Sequence, residues 1–434
     1  MNVKNIAKDG YFYMNKKGGI FYGWWIVAAA FLIMTFIYAP IANLVSLFIL
    51  PVTKELGFSA SQFMLYFTIM ALAAMVTGPF AGKLMKKMDV RVYLTLFISI
   101  SALAFIGFSF STKLIHFYLF AILMGAGMSG GAMIPGSVLI TNWFNEKRGL
   151  CLGIALAGSG FGGVIMSPVV NWLISAYDWR TAYLIIGILI AVILIPLAVF
   201  VIRLHPADKG LAPLGEAPTL DTVQNKVLAG TTQGETFKSV SFWALCAAIL
   251  IGGIVVNTML INLAPYLASI GTTAKTAALL LSLGSAMVII GKLLVGRLFD
   301  KLGLITTLLL ISASSLISFI FLMKANVVAP AILYTIFSGI GSTAVTVVPA
   351  YLTGALYGEK EYGAKYGVVS VFISLGAAIT PVASGAIFNI NHSYTLLLDV
   401  LIGLAIIQFV LFFIASKTKP KFHPAEEAKS IEAL

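Results

Sequence analysis

The sequence predicts an all-α integral membrane protein, with twelve transmembrane helices in two six-helix bundles related by a parallel internal repeat. Three observations carry that expectation. Of the 434 residues 60% are hydrophobic and only 10% charged, against about 25% charged in soluble domains. Apolar runs of the roughly 20 residues needed to cross a bilayer recur twelve times along the chain. One long polar stretch, 203–240, divides them six and six, and it carries Pro206, Gly210, Pro213, Gly215 and Pro218 among charged residues.

Taken in order, residues 1–21 form a polar tail with Lys4, Lys8, Lys16 and Lys17. The apolar run that follows is too long for the core of a cleavable signal peptide and reads as the first span. Spans are expected at about 22–50, 60–85, 92–112, 114–142, 149–175 and 180–202, then 241–270, 275–299, 304–324, 327–357, 363–390 and 393–416. This gives an N-terminal bundle (22–202), a linker (203–240), a C-terminal bundle (241–416) and a tail (417–434). Pro135, Pro168, Pro349 and Pro381 are expected to break spans 4, 5, 10 and 11, because proline removes a helical hydrogen bond.

The net charge of +12 does not form one basic surface, so no nucleic-acid partner is expected. With both chain ends on one side, only Lys54, Lys113, Arg180, Lys275 and Lys324 fall on the opposite side. Every other lysine and arginine apart from Lys292 lies on the side of the termini. Such an excess predicts cytoplasmic termini in a cell membrane. Cys151 and Cys246 sit in apolar segments without ligand spacing, the four histidines are scattered, and no HExxH, Walker A or nucleophile-elbow pattern occurs. No enzyme, metal site or cofactor is expected. The glycine-rich runs 125–136 and 153–163 lie within apolar spans, where glycine serves close helix packing rather than phosphate binding.

The halves repeat. Glu146-Lys147 recurs as Glu359-Lys360, Gly163 as Gly376 and Ser167-Pro168 as Thr380-Pro381, each 213 residues on. Gly82 recurs as Gly296, and Gly125 and Gly127 as Gly339 and Gly341, at 214. Several motifs at nearly one offset, with equal orientation of the halves, describe the six-plus-six build of a secondary transporter.

Lys292 lies inside the apolar segment 273–303. A charge there costs about 2.5–3.5 kcal/mol on insertion scales and is a functional-site hypothesis by default. The alternative is that it snorkels to the surface shared with Arg297, a turn and a half away. Tyr38, Asn43, Asn257, Asn262 and Tyr266 are polar residues in spans 1 and 7, read either as substrate contacts or as helix–helix hydrogen bonds. Asp399, in span 12, is expected to meet water or headgroups near the outer end.

Two stretches resemble the loop signature of the major facilitator superfamily: Gly78 to Arg91 after span 2, and Gly296 to Gly303 after span 8. The resemblance implies that Gly82, Asp89, Arg91, Gly296, Arg297 and Asp300 form gates between the halves. The second copy matches at Gly296, Asp300 and Gly303, whereas in the first Lys86 stands where the aspartate is expected and Asp89 where a glycine is. Asn142 to Gly160, with Phe21 to Trp25, Phe242-Trp243 and Tyr366-Gly367, resembles the oxalate:formate antiporter and monocarboxylate transporter branch. In that branch an arginine of span 8 meets the substrate carboxylate, and its position here is Lys292. The aspartate of proton-coupled members is replaced by Val288, and 367–390 has no lysine. The resemblance thus implies alternating-access transport of a small organic anion, a monocarboxylate, with a co-transported proton or an exchanged anion. The lipid bilayer is the other expected partner, and the protein is expected to be a monomer. The alternatives are a transporter of a neutral or cationic solute, such as a drug or sugar, and a non-transporting membrane sensor.

The charge count yields the first test. Cysteines placed at Lys209 and Thr418 should react with a membrane-impermeant maleimide only from the cytoplasmic side, and one at Lys113 only from outside. Labelling of Lys209→Cys in intact cells would reverse the orientation.

Overall fold

The computed structural model describes residues 21–215, 230–325, 327–391 and 394–420. Twelve helices among them are long and apolar enough to cross a membrane. In the first half they are α1 (Gly23–Asn43), α2 (Ala60–Lys87), α3 (Val90–Ser109), α4 (Leu114–Trp143), α5 (Arg148–Ala176) and α6 (Trp179–Val201). In the second they are α7 (Val240–Ser269), α8 (Ala274–Leu302), α9 (Leu304–Leu322), α10 (Val328–Val345), α11 (Tyr362–Asn391) and α12 (Thr395–Lys417). Helices are what hydrocarbon demands, since each backbone N–H and C=O must find a partner within its own segment.

Local chemistry sets the ends. Ser59 and Gln62 form a reciprocal capping box at the start of α2, while Asp178 caps α6 and Thr273 caps α8. Lys147 and Glu361 both have positive φ, 58° and 54°, immediately before α5 and α11. They stand 214 residues apart, so the repeat extends to a backbone conformation uncommon for side-chain-bearing residues. Span 1 bends at Leu44 and continues as Val45–Leu56. Span 10 is interrupted at Ser342–Val345 and resumes as Val347–Tyr357. The expected breaks at Pro168 and Pro381 do not occur: α5 and α11 run through both residues, as membrane helices tolerate a proline when neighbours cover the freed carbonyl.

Within each half the helices close on small residues. Gly127 of α4 meets Ser101 of α3, and 214 residues on Gly341 meets Ser315 in the same way. Between the halves the same principle acts at two crossings, α5 on α8 and α2 on α11. A side chain at Gly296 would overlap the Gly149 carbonyl, and one at Gly82 would overlap the Gly363 carbonyl. These four glycines form two pairs related by the offset of 214.

The linker is fastened at both ends. Leu214 pairs with Phe144: Leu214 N donates to Trp143 O, and Asn145 N and Glu146 N donate to Leu214 O. Gly230 pairs with Gly358, the repeat position of Phe144, and Thr231 N donates to Tyr357 O.

Gly296→Val should push α5 from α8 at the terminus-bearing face. Spin labels at Glu146→Cys and Lys301→Cys would then report a distance several ångström longer. Gly403→Val, where a Cβ meets open space, should leave the distance unchanged. Equal distances in both variants would show that the glycine crossing does not set the closure.

Candidate functional site

The polar groups between the halves fall into two layers. The outer layer lies at the terminus-bearing face and is built on helix ends. The first N–H groups of α5 have no partner within their own helix. The Asp300 carboxylate of α8 supplies one: Oδ1 accepts from Gly149 N at 2.8 Å and Oδ2 from Leu150 N at 2.8 Å. A negative charge at a helix N-terminus also gains from the macrodipole. Asp300 thus caps a helix of the other half rather than pairing with Arg297, which is exposed and joins no ion pair among the described residues.

Arg148 adds a second tie. Its guanidinium is planted in the first half by bonds to Phe144 O at 2.8 Å and Asn145 Oδ1 at 3.0 Å, and it reaches Glu359 of the second half in a mostly buried ion pair. Neither Arg148 nor Glu359 is among the residues singled out from sequence. The repeated Glu-Lys pair was the available signal, although it reads there only as a marker of topology.

The first-half loop does not mirror this arrangement. Asp89 caps its own helix α3 and pairs with Arg91 two residues on, with Arg91 Nη2 to Asp89 Oδ2 at 2.8 Å and both side chains about 45% exposed. Hydrogen bonds from the Arg91 side chain and backbone hold the Asp89 carboxyl below the usual carboxylate range. Such an exposed local pair contributes ~0–1 kcal/mol, and it does not span the halves. The repeat position of Asp300 is Lys86, which cannot cap α11. So Gly82, Gly296 and Asp300 stand at inter-half contacts, whereas Asp89, Arg91 and Arg297 do not.

The inner layer centres on Lys292, only 4% exposed. Its side chain does not snorkel along α8. It crosses to α5, where Nζ donates to Ser159 Oγ at 2.6 Å and Leu156 O at 3.3 Å. Ser159 donates its own hydroxyl hydrogen to Leu156 O at 2.9 Å, leaving its oxygen lone pairs for the amine. Asn43 of α1 joins the cluster through Nδ2 to Ser159 O at 2.9 Å. An ammonium has three donors, so one N–H of Lys292 remains unspent. No carboxylate pairs with it among the described residues. Gly153 makes the approach feasible, since a side chain there would meet the Lys292 carbonyl.

Tyr38 of α1 is half-buried near Tyr366 of α11, whose buried hydroxyl faces Ser137 of α4. The remaining candidates make local or within-half hydrogen bonds. Asn257 Nδ2 and Asn262 Nδ2 donate back along α7 to Gly253 O and Thr258 O. Tyr266 Oη donates to Leu322 O at the end of α9, within a core cluster of the second half. Asp399 is exposed in the first turns of α12, a favourable place for a carboxylate. Lys365, counted from sequence as a loop residue, is fully buried at the start of α11, where its amine donates to the carbonyls of Thr231, Tyr357 and Gly358.

The family model described as Major Facilitator Superfamily matches residues 25–336 and 311–433. Monocarboxylate transporter 12 of Mus musculus is 24% identical over 398 residues, covering 86% of this chain and 81% of that protein. An uncharacterized MFS-type transporter, YcxA of Bacillus subtilis (strain 168), is 24% identical over 425 residues, covering 90% and 97%. Among solved structures, the proton:xylose symporter XylE bound to 6-bromo-6-deoxy-D-glucose superposes with a TM-score of 0.66 at 14% identity, over 91% of this chain and 94% of that one.

The asymmetry of the outer layer is testable. Asp300→Asn removes a charged acceptor from two N–H groups, and the closed state should lose about 1.5 kcal/mol, roughly tenfold in population. Asp89→Asn should change it by less than about twofold. The distance distribution between labels at 146 and 301 measures both, and equal effects would remove the distinction.

Proposed function

The chain belongs to the major facilitator superfamily, and from that premise we propose that it carries a small organic anion, a monocarboxylate, across the cell membrane. The single observation that supports this reading is Lys292: a buried amine with one unspent donor and no carboxylate partner, placed where the two halves meet. An uncompensated buried charge is costly. A bound carboxylate relieves that cost and takes the free N–H in a charge-assisted hydrogen bond. One such cation matches one negative charge, hence a monoanion. Tyr38 is a candidate donor for the rest of the ligand, Ser159 holds the amine, and Asn43 bonds the Ser159 carbonyl behind it. The name of the mouse relative, a monocarboxylate transporter, points the same way.

Transport follows from the position of this cluster. Lys292 belongs to the second half and Ser159 to the first, so a ligand here is held by both. Closure at the terminus-bearing face would leave the opposite face for entry. Rocking of 22–202 against 241–416 about the glycine crossings would part Asp300 from α5 and Arg148 from Glu359, opening the other side. The lysine and arginine count supports cytoplasmic termini. A second reading, a neutral or cationic solute, rests on the Lys292–Ser159 bond itself, which lets the amine serve purely as a strut between the halves.

The two readings separate at Lys292. Lys292→Gln should fold, lose the thermal stabilisation given by short-chain monocarboxylates, and bind them roughly ten- to a hundredfold more weakly. Lys292→Arg should keep binding, because a guanidinium also holds a carboxylate and does so through two parallel bonds. Uptake into proteoliposomes gives the functional arm. Undiminished monocarboxylate uptake by Lys292→Gln would leave the lysine as a strut.

A further inference from the structure

The terminus-bearing face holds a feature that the anion cluster does not use. Between the α8–α9 turn, the helix Val347–Tyr357 and the end of α12 lies a groove of about 600 Å³, well within the ~300–1,000 Å³ typical of small-molecule sites. Leu302, Ile305 and Leu356 give it an apolar side, Thr306 and Ser416 add hydroxyls, and Lys417 and Lys419 also line it. No carboxylate lines it, and neither lysine joins an ion pair among the described residues. Lys417 Nζ sits 5.6 Å from the centroid of the Phe413 ring one turn back on α12, which fixes this cation at the helix end.

The level of the groove matters as much as its lining. α8 ends at Leu302, α9 begins at Leu304 and α12 ends at Lys417, so the groove lies where the apolar spans give way to the membrane surface. Leu302 and Ile305 are themselves exposed, so the apolar wall faces the bilayer sideways while the amines face the headgroup layer. A soluble anion would need the amines but not that wall. A neutral lipid would use the wall but leave two cations uncompensated.

We propose that this groove is a binding site for an anionic phospholipid. The phosphate is held by Lys417 and Lys419, and the glycerol and upper acyl segment lie along Leu302 and Ile305. Each lysine near an anionic headgroup strengthens attraction roughly fivefold, so the pair contributes about 30-fold.

Full-length protein in detergent provides the test, with the melting temperature without lipid as baseline for each variant. Phosphatidylglycerol should raise it and remain bound in native mass spectra, whereas phosphatidylcholine should do neither. Lys417→Gln with Lys419→Gln should weaken phosphatidylglycerol binding about 30-fold. Ala355→Trp, which fills the groove and leaves both amines in place, should weaken it as well. Equal effects of the two lipids would overturn the proposal. So would unchanged binding by Ala355→Trp, which would mean that the lysines attract lipid only as surface charge. Stabilisation by glycerol 3-phosphate or inorganic phosphate equal to that by the lipid would identify a free-phosphate site instead.

Discussion

Two helix crossings hold the halves together, and each depends on the absence of side chains. In a bilayer no hydrophobic driving force pulls one helix onto another, so van der Waals contact and hydrogen bonding must do so. Gly149 on Gly296 and Gly82 on Gly363 bring backbones together where any Cβ would collide. The other inter-half contacts need that proximity. Asp300 reaches the first N–H groups of α5 because Gly149 lets α8 lie against them. Lys292 reaches Ser159 because Gly153 admits its backbone about one turn further in.

The two buried lysines show how the same amine can serve different ends. Lys365 spends its donors on the carbonyls of Thr231, Tyr357 and Gly358, binding the linker to the end of the tenth span. Its repeat position is Cys151, a buried thiol. Lys292 keeps one donor free, and its own repeat position is Gly78. Both lysines break the symmetry of the scaffold in the second half. One spends its donors on three carbonyls of the protein, and the other makes two bonds across the halves.

Much of the architecture was legible in the sequence, because a 20-residue apolar run survives errors of a few residues and because the repeat fixes the pairing of halves. The break expected in the tenth span from Pro349 does occur, about one turn earlier, at Ser342–Val345. The prolines misled in α5 and α11, where the helix runs on. At the candidate site the charge of Lys292 stood out, but its partner did not: Ser159 lies in a run of glycine and alanine that reads as packing surface. Asn257, Asn262 and Tyr266 drew notice as polar groups in apolar helices. Their partners, carbonyls four residues back or at the end of another helix, cannot be recognised from residue type. Arg148 read as a topology charge and Glu359 as a mark of the repeat, because their separation of 211 residues conceals a contact.

The fastening of the linker has a mechanical consequence. Leu214 is bonded to the loop after α4 and Gly230 to the loop after the tenth span, so each half carries its own end of the connection. The bonded ends would travel with the halves that hold them, so rocking need break neither attachment. Each clip sits within its own half and bridges no contact between them, so the attachments record which halves belong together and leave the angle between them to the helix crossings.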